Sequence, residues 1–383
     1  MNGYAYAFYS ACNSPTLASS TAVPFLARMK ASVMSTALAA LTFLPSLSTC
    51  TPIASPSSVA ISKLTPSLPL TVSVVKTFGF PSWCENFAIR SNGNLLVSRL
   101  DTPEVLLVSP TNAFDPITVT TFNATTYKGA LGISETTKDV FYVITSAQVD
   151  DSFVKTSGVN SIWKINMNTF AQSNGTITSP ATVTKIVDIP GADFLNGMTT
   201  LDDQNVLVGD IYNGWVYKVC VTTGAYSIVV NDPKMKIPAG ASTNLGVNGI
   251  KISNSYLYWT NTAVGTLNKI KIASDGTPIG SSSVVVSNVP KADDFIFKSD
   301  GTIWVAQNQM DELSYIPVGA TQATLVAGSN ISTTLAGVTS GHFGRTAKDA
   351  NILYLATSGG LALPINGTVV VAGSIVKIDT TGF

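Results

Sequence analysis

From about residue 70 onward, apolar and polar positions alternate in short runs rich in Val, Ile, Leu, Tyr and Thr, broken by Gly, Asn and Asp. A period of two is that of a pleated strand, and the breaks carry turn chemistry. Helical periodicity is almost absent, so the region predicts antiparallel strands. One phrase recurs: a short apolar strand, a polar turn, then a second β-rich strand. It runs from Phe87 to Val97, Leu131 to Val143, Met198 to Val208, Ile250 to Trp259, Phe295 to Val305 and Phe343 to Leu355. The residues two before these phrases are Glu85, Gly129, Asn196, Asn248, Asp293 and Gly341, with steps of 44, 67, 52, 45 and 48 residues. In an all-β chain that is the period of a four-stranded propeller blade. The expected fold is all-β, a six-bladed β-propeller over residues 70–383, with tandem β-sandwiches as the alternative. The long step holds Gln172 to Pro180, read as a polar loop. The strand-like runs Thr71–Phe78 and Ser374–Asp379 are expected to share the last blade, so that the N-terminal strand closes the ring and removes open sheet edges.

The residues before this region change the picture of where the protein works. Met29-Lys30, the apolar run Val33–Leu44 and the small residues around Ser46 and Ser48 have the layout of a secretory signal. The apolar run is too short for a membrane span. The expected organisation is a gene-model extension over 1–28, a signal peptide over 29–50, a linker over 51–69 and then the propeller. Four sequons, at Asn123, Asn174, Asn330 and Asn366, agree with a secreted or vesicular glycoprotein. Of the four cysteines, Cys12 and Cys50 fall in or beside the removed segment. Cys84 and Cys220 remain, either paired in an oxidising compartment or as two buried thiols. Charge narrows the partners: 22 basic and 22 acidic residues cancel, and only 11% of residues are charged. Such a chain has no field to attract nucleic acid or an anionic membrane. A small-molecule partner is expected instead; the oligomeric state is left open.

Equivalent positions in a propeller form a ring around the central channel. Here the ring reads Glu85, Gly129, Asn196, Asn248, Asp293, Gly341. Two carboxylates and two amide oxygens suit Ca²⁺ or Mg²⁺ rather than zinc, although Asn-Gly and Asp-Asp also make ordinary turns. The single histidine, His342, adjoins the last ring position and is a candidate for catalysis or substrate contact. No nucleophile elbow, dinucleotide-binding glycine motif or phosphate loop is present.

The stretches Trp83–Val97, Phe194–Met198, Leu245–Ile252, Asp293–Phe295 and Leu335–Arg345 resemble fungal propellers of the gluconolactonase/senescence-marker type, over about residues 70–383. The resemblance implies a divalent metal held by Glu85, Asn196, Asn248 and Asp293, with Asp293 as general base of a lactonase. The chain departs from that pattern at Asn86-Phe87 and Asp294, and it has no counterpart of the arginines that grip sugar acids. The chain is also similar to the hetero-Diels–Alderases of tropolone-sesquiterpenoid pathways, which join a quinone methide to a humulene-type olefin. That resemblance implies a shaped, largely apolar pocket needing orientation and a few hydrogen bonds, with Trp83, Phe87, Phe194, Trp259 and Phe295 as candidate substrate contacts. Three readings stand: a pericyclase, preferred; a Ca²⁺-dependent lactonase or hydrolase; and a non-catalytic ligand-binding propeller.

Overall fold

In a computed structural model of the chain, residues 66–147 and 159–383 are described. The expected extension, signal and most of the linker lie outside them. Six four-stranded antiparallel sheets succeed one another as blades, and the inner strands contact their neighbours around a closed ring. The fold is the six-bladed propeller that the repeat predicts. The inner strands are Cys84–Ile89, Gly129–Thr137, Leu195–Asp202, Val247–Ser253, Ala292–Phe297 and Val338–Phe343, taken as blades 1 to 6. Among the described residues no helix is long and apolar enough to cross a membrane.

Blade 6 takes its outer strand from the other end of the chain. Val72–Thr77 pairs antiparallel with Ser374–Asp379, as the sequence predicts. The segment Gln172–Pro180 is not a loop but part of a two-stranded ribbon, Ala171–Ser173 against Thr176–Ser179. Asn174 and Gly175 connect its strands at φ 49° and 83°, the left-handed pair that suits a two-residue hairpin turn.

Burial follows from the geometry. Alternate strand residues point to opposite faces, and in a propeller each face meets the next blade. In blade 1, Leu95 and Val97 pack with blade 6 while Leu96 packs with blade 2, and all three are fully buried. Continuous apolar runs such as Leu95-Leu96-Val97 are therefore core on both sides. Cys84 lies in that core as a free thiol, and burial pushes its pKa up. The pairing of Cys84 with Cys220 is thereby overturned: Cys220 is disulfide-bonded, but not to Cys84.

Every inner strand carries a bulge near its start, and the bulges set the phase of the ring. The register breaks after Cys84, Ala130, Leu195, Val247, Ala292 and Val338. The equivalent first bulge residues are thus Glu85, Leu131, Asn196, Asn248, Asp293 and Thr339. Four ring positions coincide with the sequence reading; Gly129 and Gly341 are each two residues out of phase. The true occupants there are an apolar side chain and a hydroxyl, and Thr339 Oγ1 donates to the Cys84 carbonyl at 2.8 Å.

Candidate functional site

A bulge turns side chains that a regular strand would hold edge-on. Here it aims Glu85, Asn196, Asn248 and Asp293 into one cavity of about 310 Å³. All four are buried, at 4–7% exposure. Glu85 Oε1 accepts from Asn196 Nδ2 at 2.8 Å, and Oε2 from Trp83 Nε1 at 2.5 Å. Asp293 Oδ2 accepts from Asn308 Nδ2 at 2.8 Å. Asn248 Nδ2 donates to Thr262 Oγ1 at 3.1 Å, whereas Asn248 Oδ1 is buried with no partner.

These contacts do not offset the loss of water around two carboxyl groups. Burial pushes Glu85 up to about 7 against the hydrogen bonds of Asn196 and Trp83, and the negative charge of Asp294 adds to the rise. Burial also drives Asp293 well above the carboxylate range, helped by repulsion from Glu85. Two like charges at a shared site resist joint ionisation, so near neutral pH the pair retains a proton.

The residue after each first bulge position does not line the cavity. In blades 2, 3 and 4 it is Gly132, Gly197 and Gly249; in blades 1 and 5 it is Asn86 and Asp294. Each of those last two caps the following backbone N–H with its own side chain, at 2.8 Å to Phe87 N and to Phe295 N. Asp294 Oδ2 also accepts from Lys251 Nζ at 2.7 Å and from Asn86 Nδ2 at 3.2 Å. The departures from the lactonase pattern at Asn86 and Asp294 therefore form one cross-channel polar link.

Among the aromatics, Trp83 and Phe194 line the cavity. Phe87, Trp259 and Phe295 do not: each is fully buried between blades, as the two-sided burial of the sheets dictates. His342 does not line it either. It packs edge-on against Phe87 at 5.2 Å, and burial, followed by the Lys251 charge, lowers its pKa to about 4. The remaining apolar wall consists of Leu100, Ile211, Tyr212, Leu245 and Ala362, and the polar wall includes Thr243, Lys291 and Asn308. Sequence reasoning missed these residues. Most lie in connections between strands, where no period marks them.

The four oxygen-bearing side chains fit a hard divalent cation. The donor set is oxygen-only, Asn248 Oδ1 lacks a donor, and a cation would relieve the repulsion between Glu85 and Asp293. Asn196 would have to turn its amide to present oxygen. Among the described residues no group of three or more His, Cys, Asp or Glu side chains gathers as a metal site. All four sequon asparagines, Asn123, Asn174, Asn330 and Asn366, are exposed.

No protein-family model matches the chain. It is 28% identical over 367 residues to the protein named hetero-Diels-Alderase asR5 of Sarocladium schorii, covering 82% of this chain and 85% of that one. To a protein named hetero-Diels-Alderase from a Phoma species it is 27% identical over 317 residues, 76% of this chain and 87% of that one. Among solved structures, a luciferin-regenerating enzyme superposes with a TM-score of 0.57 at 14% identity, over 81% of this chain and 95% of that one. The calcium-binding regucalcin of Agrobacterium tumefaciens superposes with a TM-score of 0.52 at 11% identity, over 82% and 96%. In sequence the chain is thus similar over most of its length to proteins named hetero-Diels–Alderases, on a propeller fold shared with regucalcin and the luciferin-regenerating enzyme.

Proposed function

We propose that the protein is a hetero-Diels–Alderase that joins an oxygen-bearing heterodiene, of the quinone methide type, to a hydrocarbon olefin of the humulene type. The observation that carries this reading is the cavity itself: two carboxyl groups that together retain a proton, facing a lining whose apolar part is built from Trp83, Leu100, Phe194, Ile211 and Tyr212. The names of the two sequence relatives support it. A cycloaddition forms its bonds in one electronic reorganisation and needs neither nucleophile nor leaving group. What a protein contributes is register between two reactants, which in well-oriented systems is worth as much as about 7–11 kcal/mol, and polarisation of the heterodiene oxygen. Protonated Glu85 is placed to donate a hydrogen bond to that oxygen, in the way a neutral carboxylic acid serves elsewhere as an oxyanion-hole donor. A divalent cation held by Glu85, Asn196, Asn248 and Asp293 would supply Lewis-acid polarisation of the same oxygen.

The test is to generate the quinone methide in solution with α-humulene and compare product rate and enantiomeric excess with and without protein. Acceleration and a single enantiomer are expected. Phe194→Ala should lose about 10²-fold through misplacement. Racemic product at the background rate would overturn the reading.

The oxygen ring and the orphaned Asn248 Oδ1 favour one other reading, a Ca²⁺-dependent lactonase with Asp293 as base. That enzyme would hydrolyse lactones, stop in a chelator and lose activity in Asp293→Asn. We place the protein in the secretory pathway on its signal-like segment and four exposed sequons. Removal of N-linked sugars from the protein of the native host should lower its mass.

A further inference from the structure

Among the described residues Lys291 is the only basic side chain lining the cavity. It stands two residues before Asp293, just ahead of the inner strand of blade 5, with its backbone in the left-handed region at φ 56°. A non-glycine residue holds that conformation only where its surroundings fix it. Two contacts fix this one. The Lys291 carbonyl accepts from the backbone N–H of Asn308 at 3.2 Å, and Nζ donates to Thr243 Oγ1 in the loop before blade 4. Among the described residues Lys291 makes no ion pair. A half-buried ammonium with one neutral hydroxyl for company has donors to spare and an uncompensated charge. Nearby in the same wall, Asn248 Oδ1 is a buried acceptor without a donor.

We propose that Lys291 is the anchor of the oxygen-bearing reactant: its ammonium grips an anionic oxygen on a planar ring, and Asn248 Oδ1 takes a neighbouring hydroxyl. In that pose Lys291 and Asn308 would meet the oxygenated ring, and Trp83, Phe194 and Tyr212 the hydrocarbon. The ionic anchor stands on Lys291 itself; that the anchored ring is the heterodiene rests on the cycloaddition reading. Lys291 thereby acts in positioning: it fixes which face of the ring the olefin meets.

The probe is tropolonate, an anionic ring with two adjacent oxygens, titrated calorimetrically into the full-length protein, with neutral 2-methoxytropone and α-humulene as comparisons. Wild type should bind tropolonate at least tenfold more tightly than 2-methoxytropone. Lys291→Gln should erase that preference, Lys291→Arg should restore most of it, and neither should alter α-humulene binding. Lys291→Met, which keeps the length of the side chain without its charge, should erase the preference likewise and serves if Lys291→Gln fails to fold. Equal tropolonate affinity in wild type and Lys291→Gln would overturn the anchor, as would loss of humulene affinity in step with tropolonate. Tropolonate held through Lys291 by a protein that accelerates no cycloaddition would sustain the anchor and remove the cycloaddition reading. Cycloadduct formed with unchanged rate and enantiomeric excess in Lys291→Gln would do the reverse.

Discussion

Glu85 ionises in the folded protein only near pH 7, because burial withholds water from its carboxylate more than Asn196 and Trp83 stabilise it. If its proton is the donor to the heterodiene oxygen, the cycloaddition rate in chelator-treated protein should fall as pH rises through about 7. Glu85→Gln keeps an N–H donor and loses the titration, so its profile should be flat across that range. A wild-type profile equally flat would remove Glu85 from the chemistry. His342 gives the opposite dependence, in stability. Its folded pKa of about 4 lies below the ordinary 6.5, so between those values the unfolded chain takes up a proton that the folded chain refuses. The stability it contributes is present above pH 6.5 and lost as pH falls through 4. Glu85 titrates across the same span, so the effect is isolated by difference. From pH 7.5 to 4.5, wild type should lose on the order of 2 kcal/mol more than His342→Leu in urea unfolding. Parallel losses would show that His342 carries no such linkage.

At the scale of the element, the bulge is what converts an inner strand into a wall of the site. It depends on how closely neighbouring strands approach. A Cβ built on Gly197 would stand 2.3 Å from the carbonyl oxygen of Asn248 and 3.0 Å from the Ile250 nitrogen, both backbone atoms of blade 4. Gly197→Ala must therefore push blades 3 and 4 apart at the point where Asn196 and Asn248 are aimed. It should cost about 1–3 kcal/mol and abolish ligand binding in the cavity, while Gly79→Ala, with nothing within 4 Å, should do neither. Calorimetry of both variants decides it; a Gly197→Ala protein that binds normally would refute the close-approach argument. The same bulges explain which parts of the site were legible in the sequence. Glu85, Asn196, Asn248 and Asp293 share one repeat phase because each opens a bulge followed closely by an apolar strand. Leu131-Gly-Ile and Thr339-Ser-Gly open bulges too, but no polar marker fixes their phase, so Gly129 and Gly341 stood in for them. Phe87 and Phe295 could not be told from Trp83 and Phe194 by type, since strands buried on both faces place aromatics in the core as readily as in the cavity. Lys291 and Asn308 lie in connections, where no periodicity identifies what meets across the ring.

For the whole molecule, stability depends on closure. Apolar clusters lie between adjacent blades, so a blade left without a neighbour exposes a face as well as an edge. The ring is closed by a single short strand, Val72–Thr77, which brings the N-terminal part of the chain onto blade 6 beside Ser374–Asp379. Within that strand Val75 is 6% exposed and packs with Phe87 and Ile375, whereas its neighbour Val74 is 54% exposed. The register break between Val74 and Lys76 puts Val75 in the core and leaves Val74 outside it, which supplies an internal control. Val75→Asp buries an unpaired charge at the junction of blades 6 and 1 and should cost about 3–5 kcal/mol; Val74→Asp should fall within about 0.5 kcal/mol of wild type, as surface changes do. If closure is cooperative, the Val75→Asp loss should move the urea midpoint with unchanged slope. Ligand binding in the cavity, whose wall begins with Trp83 and Glu85 of blade 1, should be lost at the same midpoint. A Val75→Asp protein that frays at blade 6 yet keeps its cavity and its midpoint would show that the other five blades hold the ring without their closing strand.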